Sequence, residues 1–204
     1  MARMELSTVL APVCTALAVS FAWPQVFKIY RQNTVEGLSA KGTLHGLSGC
    51  LLWTLYGAAQ GLLPILISNG AVGTAMLMIA AAQIRHRTLR LSHLLALLCA
   101  VALVGFAALV LSTTLVGWMA IVVGVTSILP QVVHVSRTVD LSGISLPMYA
   151  MILLSGVLWS LYGALIGDWL IVITNAFILP CALYIAFKSW RAQSAQSVSV
   201  ACSA

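Results

Sequence analysis

The feature that most constrains this chain is an internal duplication. Residues 24–69 recur at 130–175 without a gap, at a constant offset of 106. The offset carries Pro24-Gln25-Val26 onto Pro130-Gln131-Val132 and Arg31 onto Arg137. It also carries Gly37 and Ser39 onto Gly143 and Ser145, Trp53 onto Trp159, Tyr56-Gly57-Ala58 onto Tyr162-Gly163-Ala164, and Asn69 onto Asn175. Both copies lie in nearly unbroken apolar sequence. Most duplicated membrane folds hold a small-solute site at the interface between their repeats.

That the solvent is lipid follows from composition. With 61% hydrophobic and 7% charged residues and a mean hydropathy of +1.06, a soluble domain of 204 residues has too little polar surface to cover itself. The ten basic residues outnumber the four acidic ones, but they fall in short clusters between apolar runs, without aromatic interleaving. Loops facing anionic lipid carry that pattern, and it argues against a nucleic-acid partner. Cys14, Cys50, Cys99 and Cys181 fall inside apolar runs and Cys202 on the tail, with no pair at metal-ligand spacing. They read as small buried hydrophobes. No cofactor or metal is implied.

A hydrocarbon core of roughly 30 Å needs about 20 helical residues. Seven segments meet that length: 6–29, 43–60, 63–84, 92–111, 114–135, 146–166 and 169–188. Lipid offers the backbone no hydrogen-bond partner, so runs of this kind are helices. The first resembles a secretory signal, but its Pro24-Gln25 has an internal twin at 130–131, which makes it part of the fold. Lys28, Arg31, Lys41, Arg85, Arg87, Arg90, Arg137, Lys188 and Arg191 all fall on one side, leaving Arg3, Glu5 and Asp168 on the other. The N-terminus is therefore expected outside and the C-terminus in the cytoplasm.

Three crossings per repeat would leave tandem repeats pointing in opposite directions. The one segment without a counterpart, 92–111, restores a parallel arrangement. The expected fold is an all-α membrane protein of seven transmembrane helices, 3+1+3. Its parts are a first triple-helix repeat at 6–84, a linker helix at 91–111, a second repeat at 114–190 and a disordered cytoplasmic tail at 191–204.

The Pro-Gln turn, the Gly-x-Ser after it, the Trp-x-x-Tyr-Gly element and the Asn sixteen residues past the Trp resemble the PQ-loop superfamily. Within it the chain resembles the SWEET sugar transporters, whose half-size bacterial relatives, the SemiSWEETs, carry one such unit. Ser68 and Thr174, immediately before the asparagines, are closer to bacterial forms. The resemblance implies a sugar uniporter working by alternating access. Its central pocket would be lined by Trp53, Asn69, Trp159 and Asn175, with hinge prolines at Pro24, Pro130 and Pro147. Lys41 stands at the fourth hinge position.

The same residues have readings of their own. Trp53 is expected about ten residues into its helix, roughly 15 Å deep, with Asn69 at a similar depth on the next helix. An indole near the midplane beside an amide offers a sugar a flat apolar wall and hydroxyl partners. The alternative is interhelical glue. Pro24 and Pro130 each remove a helical hydrogen bond and act either as hinges of the cytoplasmic gate or as fixed kinks. Gln25 and Gln131 are placed to cap the freed carbonyl or to bond across the repeats. Tyr56 and Tyr162, one turn from the tryptophans, are either an outer gate or interfacial belt residues. Gly46, Gly49, Gly57, Gly70, Gly73, Gly156 and Gly163 permit close helix approach. The four histidines, His45, His86, His93 and His134, read as solvated or headgroup-facing.

No Asp, Glu, Lys or Arg stands at the centre of a span, so the chain lacks the carboxylate relay of proton-coupled carriers. Neither a nucleophile–base pair nor a metal cluster suggests an enzyme. The expected function is facilitated diffusion of a small neutral sugar across a bacterial plasma membrane, with sugar and membrane lipid as partners and a homo-oligomer left open. The competing readings are a PQ-loop exporter of amino acids or another metabolite, and a non-transporting receptor on the same fold.

Overall fold

The computed structural model describes residues 2–36, 38–138, 141 and 144–203. Gly37 and Gly143, the glycines of the duplicated Gly-x-Ser, lie outside the described residues. Seven helices run through the rest: α1 (Ala2–Gln32), α2 (Ala40–Ala59), α3 (Leu63–Arg85), α4 (Leu91–Leu111), α5 (Thr113–Arg137), α6 (Leu146–Ile166) and α7 (Trp169–Ser203). By length and composition six of them are apolar enough to cross a bilayer unaided; α2 has the length, at 20 residues, but is more polar. Thr43, His45 and Ser48 and four glycines dilute the apolarity of α2. It packs on both α3 and α4, and Thr43, Ser48 and Gly49 are buried there, so protein rather than lipid faces its polar positions.

The duplication extends to the helix ends. Ser39 and Ser145, equivalent by the offset, are the N-caps of α2 and α6: their hydroxyls accept from the Gly42 and Met148 amides, three residues on in each case. Each tight turn after the second helix then uses a glycine at positive φ, Gly61 at 68° and Gly167 at 77°. Immediately before the third helix, the Leu62 and Asp168 amides donate to Gly57 and Gly163 carbonyls, both at 2.8 Å.

Two compact units divide inside α5, one ending at Ser127 and one starting at Ile128. In the first, α3 packs against both α1 and α2, and α4 packs against α2. Val26, Ile29 and Val35 meet Ala75, Ile79 and Ala82 in one cluster, while Leu47 and Ala80 meet Leu89 and Leu94 in another. The division falls later than the expected start of the second repeat at 114. The early part of α5 touches α2, where a methyl on Gly49 would lie 3.5 Å from Val123 Cγ1. In the second unit α6 packs against α7, and Val135, Leu141, Tyr149, Ala182 and Ile185 form the core.

The loop after the first helix of each repeat is tied to the third helix by a glutamine. Gln83 Nε2 donates to the Leu38 carbonyl at 3.5 Å. Ile144, the counterpart of Leu38, is reached instead by Gln193, whose Nε2 lies 2.9 Å from both the Leu141 and Ile144 carbonyls. Cations close the first-helix ends: Arg85 donates to Asn33 Oδ1 beside α1, and Lys188 Nζ to the Val135 and Ser136 carbonyls of α5. A positive charge at a helix C-terminus is favourable there. The Gln193 tie also bears on the tail. Helix α7 continues to Ser203, where the sequence suggested disorder from 191. No Gly or Pro follows Pro180, and adding a residue to an existing helix is cheap compared with starting one.

Not all of the glycines serve close packing. A methyl on Gly57 would lie 2.8 Å from the Leu66 nitrogen, on Gly163 2.9 Å from Ile171 Cβ, and on Gly156 2.7 Å from Leu179 Cδ2. Gly46, Gly49 and Gly73 show ordinary contact at 3.5–3.7 Å, and nothing lies within 4 Å at Gly70, which corrects the packing role assigned to it. Gly163→Ala is therefore expected to cost about 1–3 kcal/mol through overpacking. Gly70→Ala should stay within about 0.5 kcal/mol of the wild type. Thermal denaturation of the two variants in detergent checks the contrast.

Candidate functional site

Each repeat places its Trp, Tyr and Asn by the same local rules. Trp53 lies six residues before α2 ends at Ala59, and Asn69 six residues after α3 begins at Leu63. At 1.5 Å per residue both sit about 9 Å below the intervening turn. The start of α2 at Ala40 puts Trp53 thirteen residues along the helix, deeper from that end than the ten expected. Trp159 and Asn175 occupy matching positions on α6 and α7.

The side chains repeat as closely as the backbone. Trp53 meets Tyr56 edge-on, with ring centroids 5.5 Å apart and planes at 89°; Trp159 meets Tyr162 at 5.6 Å and 87°. Such edge-to-face pairs contribute roughly 0.5–1.5 kcal/mol beyond burial. They hold each half-buried indole by its neighbour one turn on. Tyr56 is 2% exposed and Tyr162 5%, which removes the interfacial-belt reading for both.

Each asparagine donates one amide hydrogen to the carbonyl four residues back in its own helix. Asn69 Nδ2 lies 3.1 Å from Ile65 O, and Asn175 Nδ2 2.9 Å from Ile171 O, another pair equivalent by the offset. That bond fixes the carboxamide's orientation. It leaves each Oδ1 acceptor for a ligand and, at Asn175, a second N–H; Asn69 Nδ2 also lies 3.5 Å from Ser68 Oγ. Asn175 is the more deeply buried, at 9% exposed. Gly156 makes room for it: a methyl there would approach Asn175 Oδ1 to 3.3 Å. Sequence reasoning treated Gly156 as packing alone. The distinguishing signal was that its counterpart is Cys50, so this glycine is not shared by the repeats.

Pro24 and Pro130 lie inside α1 and α5. Pro147 occupies the first turn of α6, where a proline removes no helical hydrogen bond. Its setting therefore differs from that of the other two hinge candidates. Gln25 and Gln131 are half-buried, and among the described residues neither side chain has a hydrogen-bond partner, so neither caps the carbonyl its proline frees. Asp168 is the N-cap of α7: its Oδ1 accepts from the Leu170 and Ile171 amides at 3.1 and 3.4 Å. The Gly167-Asp168 pair before an apolar run was the readable signal for that cap.

His45 corrects the sequence reading. It is half-buried on α2, with Nε2 2.8 Å from the Val123 carbonyl and 3.3 Å from Thr126 Oγ1, both on α5. His93 and His134 are exposed as expected. Cys99 is likewise exposed on α4 rather than buried.

Residues 110–189 match the family model described as "Sugar efflux transporter for intercellular exchange", and residues 6–66 match the PQ loop repeat. A solved eukaryotic SWEET transporter, determined at 3.7 Å resolution, superposes with a TM-score of 0.77 at 19% identity. The alignment covers 93% of this chain and 99% of that one. This is a SWEET-like PQ-loop protein. No curated protein matches the sequence. The fold is the seven-helix fold of that SWEET structure, and the coarse class is a multi-pass membrane sugar transporter rather than an enzyme.

The His45 bond has a testable size. Polar contacts between membrane helices average about 0.6 kcal/mol and reach about 1.7 kcal/mol. His45→Ala is expected to fall in that range in thermal denaturation, while His93→Ala leaves stability unchanged.

Proposed function

We propose that this SWEET-like protein moves a small neutral sugar down its gradient by uniport, through alternating access. In this reading Trp53, Asn69, Trp159 and Asn175 are the residues that bind the sugar. The observation that carries the reading is the duplicated Trp–Tyr–Asn geometry, identical in rule and nearly identical in distance in both repeats. Interhelical glue needs no such fidelity, and neither asparagine's amide is bonded to a neighbouring helix among the described hydrogen bonds. Indole faces suit the C–H surface of a sugar ring, and oriented carboxamides suit its hydroxyls.

In this reading Pro24 and Pro130 are the hinges of the cytoplasmic gate, with Pro147 at the entry of α6, and Tyr56 and Tyr162 belong to the outer gate. The basic ends of the helices, at Arg31, Arg85 and Lys188, face the cytoplasm in a plasma membrane, with the N-terminus outside. A second reading, proton-linked transport, draws on His45, a titratable side chain within α2 bonded to α5.

One experiment separates them. Purified protein in proteoliposomes is expected to take up labelled glucose or sucrose at the same rate with and without a proton gradient. Trp159→Ala and Asn175→Ala should each lose at least about tenfold in flux, the scale of losing one or two oriented contacts. Uptake that needs the gradient supports proton linkage. Sugar flux unchanged in both variants removes the pocket.

A further inference from the structure

A cleft of about 270 Å³ opens in the first unit, lined by Gln25 of α1, Leu38, Ser39, Gly42 and Thr43 at the start of α2, and Met76 and Ile79 of α3. It lies at the end of the unit that carries Arg31, Lys41 and Arg85. Thr43 precedes Trp53 by ten residues on α2, about 15 Å along the helix. The cleft is thus separate from the Trp–Asn level.

Two properties of its lining point to the occupant. No charged side chain contributes, so an ionic solute finds no counter-charge. Three polar side chains do contribute. Thr43 donates its proton to the Ser39 carbonyl and keeps its lone pairs, and the Ser39 hydroxyl accepts from the Gly42 amide and keeps its proton. Gln25 is the unspent group: it is half-buried within a membrane helix and has no side-chain partner among the described residues. A carboxamide in hydrocarbon without a partner is strongly unfavourable, so it must meet water or a hydroxylated solute. Leu38, Met76 and Ile79 supply an apolar wall opposite.

The second repeat is built differently at the same place. Gln131 and Ser145 are retained, but Thr43 is replaced by Tyr149, Met76 by Ala182 and Gly42 by Met148. Tyr149 is 5% exposed and packs in the core beside Ala182 and Ile185. In the first unit the short Thr43 and Gly42 line the cleft beside Gln25.

We infer that the first repeat carries a second sugar subsite, one ring in size, in which Gln25, Ser39 and Thr43 bind a neutral polyol on its way to or from the Trp–Asn level. The volume falls just below the roughly 300–1,000 Å³ of typical ligand pockets, which fits a single ring. This inference rests on the uniport reading and names a further binding site for the same solute.

The test is equilibrium exchange of labelled glucose in proteoliposomes. Two variants are compared with the wild type: Gln25→Leu, and Thr43→Tyr combined with Met76→Ala. The double change transplants the second repeat's Tyr149–Ala182 pair at nearly constant volume. Both are expected to raise the half-saturating glucose concentration about tenfold while the maximal exchange rate stays within about twofold. Wild-type half-saturation in Gln25→Leu overturns the subsite whether or not the double variant folds. A uniform fall in maximal rate without a change in half-saturation also overturns it, because that is the mark of a structural or hinge role. Absence of glucose exchange by the wild type overturns the transport reading instead.

Discussion

In lipid, a hydroxyl or amide hydrogen must find its acceptor inside the protein, and in this chain it commonly finds it four residues back in its own helix. Thr15, Ser20, Thr54, Thr126 and Thr174 all donate to the carbonyl at that spacing. Asn69 and Asn175 do the same with one amide hydrogen each. The bond satisfies the polar group locally and so lets a polar residue sit in a membrane helix without a cross-helix partner. It also fixes rotamers. For the two asparagines that means an oriented acceptor at a set depth below the tight turn, from nothing more than sequence position on a helix.

Around that rule the two repeats are the same frame with different fillings. Serine caps, positive-φ glycines and edge-on Trp–Tyr pairs recur at a fixed offset. Close packing is solved in opposite ways: Gly73 of α3 faces Cys50 of α2 in one repeat, while Gly156 of α6 faces Leu179 of α7 in the other. The loop is latched by Gln83 in the first and by Gln193, further along the helix, in the second. A frame held by caps and turns tolerates such exchanges, because capping is local and the volume of a facing pair can be shared either way. The same freedom allows Thr43 in one repeat and Tyr149 in the other.

Much of this was legible in the sequence because its causes are local. The helical segments and the duplicated Trp, Tyr and Asn follow from composition and spacing. What was not legible depended on which residues face each other. His45 is an ordinary solvated histidine by sequence position, and only the approach of α5 supplies Val123 as its partner. Gly70 has the same spacing signature as Gly73, yet no neighbour comes near it. The burial of Tyr56 and Tyr162 is a matter of tertiary packing, as is the tie from Gln193 to a loop about 50 residues earlier. The lack of a cap from Gln25 and Gln131 likewise needed coordinates.

The account turns on whether positions 69 and 175 face a water-filled path shared by solute. The most direct measurement is the reaction of a membrane-impermeant maleimide with single cysteines placed there, Asn69→Cys and Asn175→Cys, in a protein otherwise without cysteine. A version keeping only Cys99, which is exposed on α4, serves as the lipid-facing reference. Both introduced thiols are predicted to react much faster than Cys99. Reaction at both as slow as at Cys99 would place the asparagines in packing or lipid and contradict the pocket.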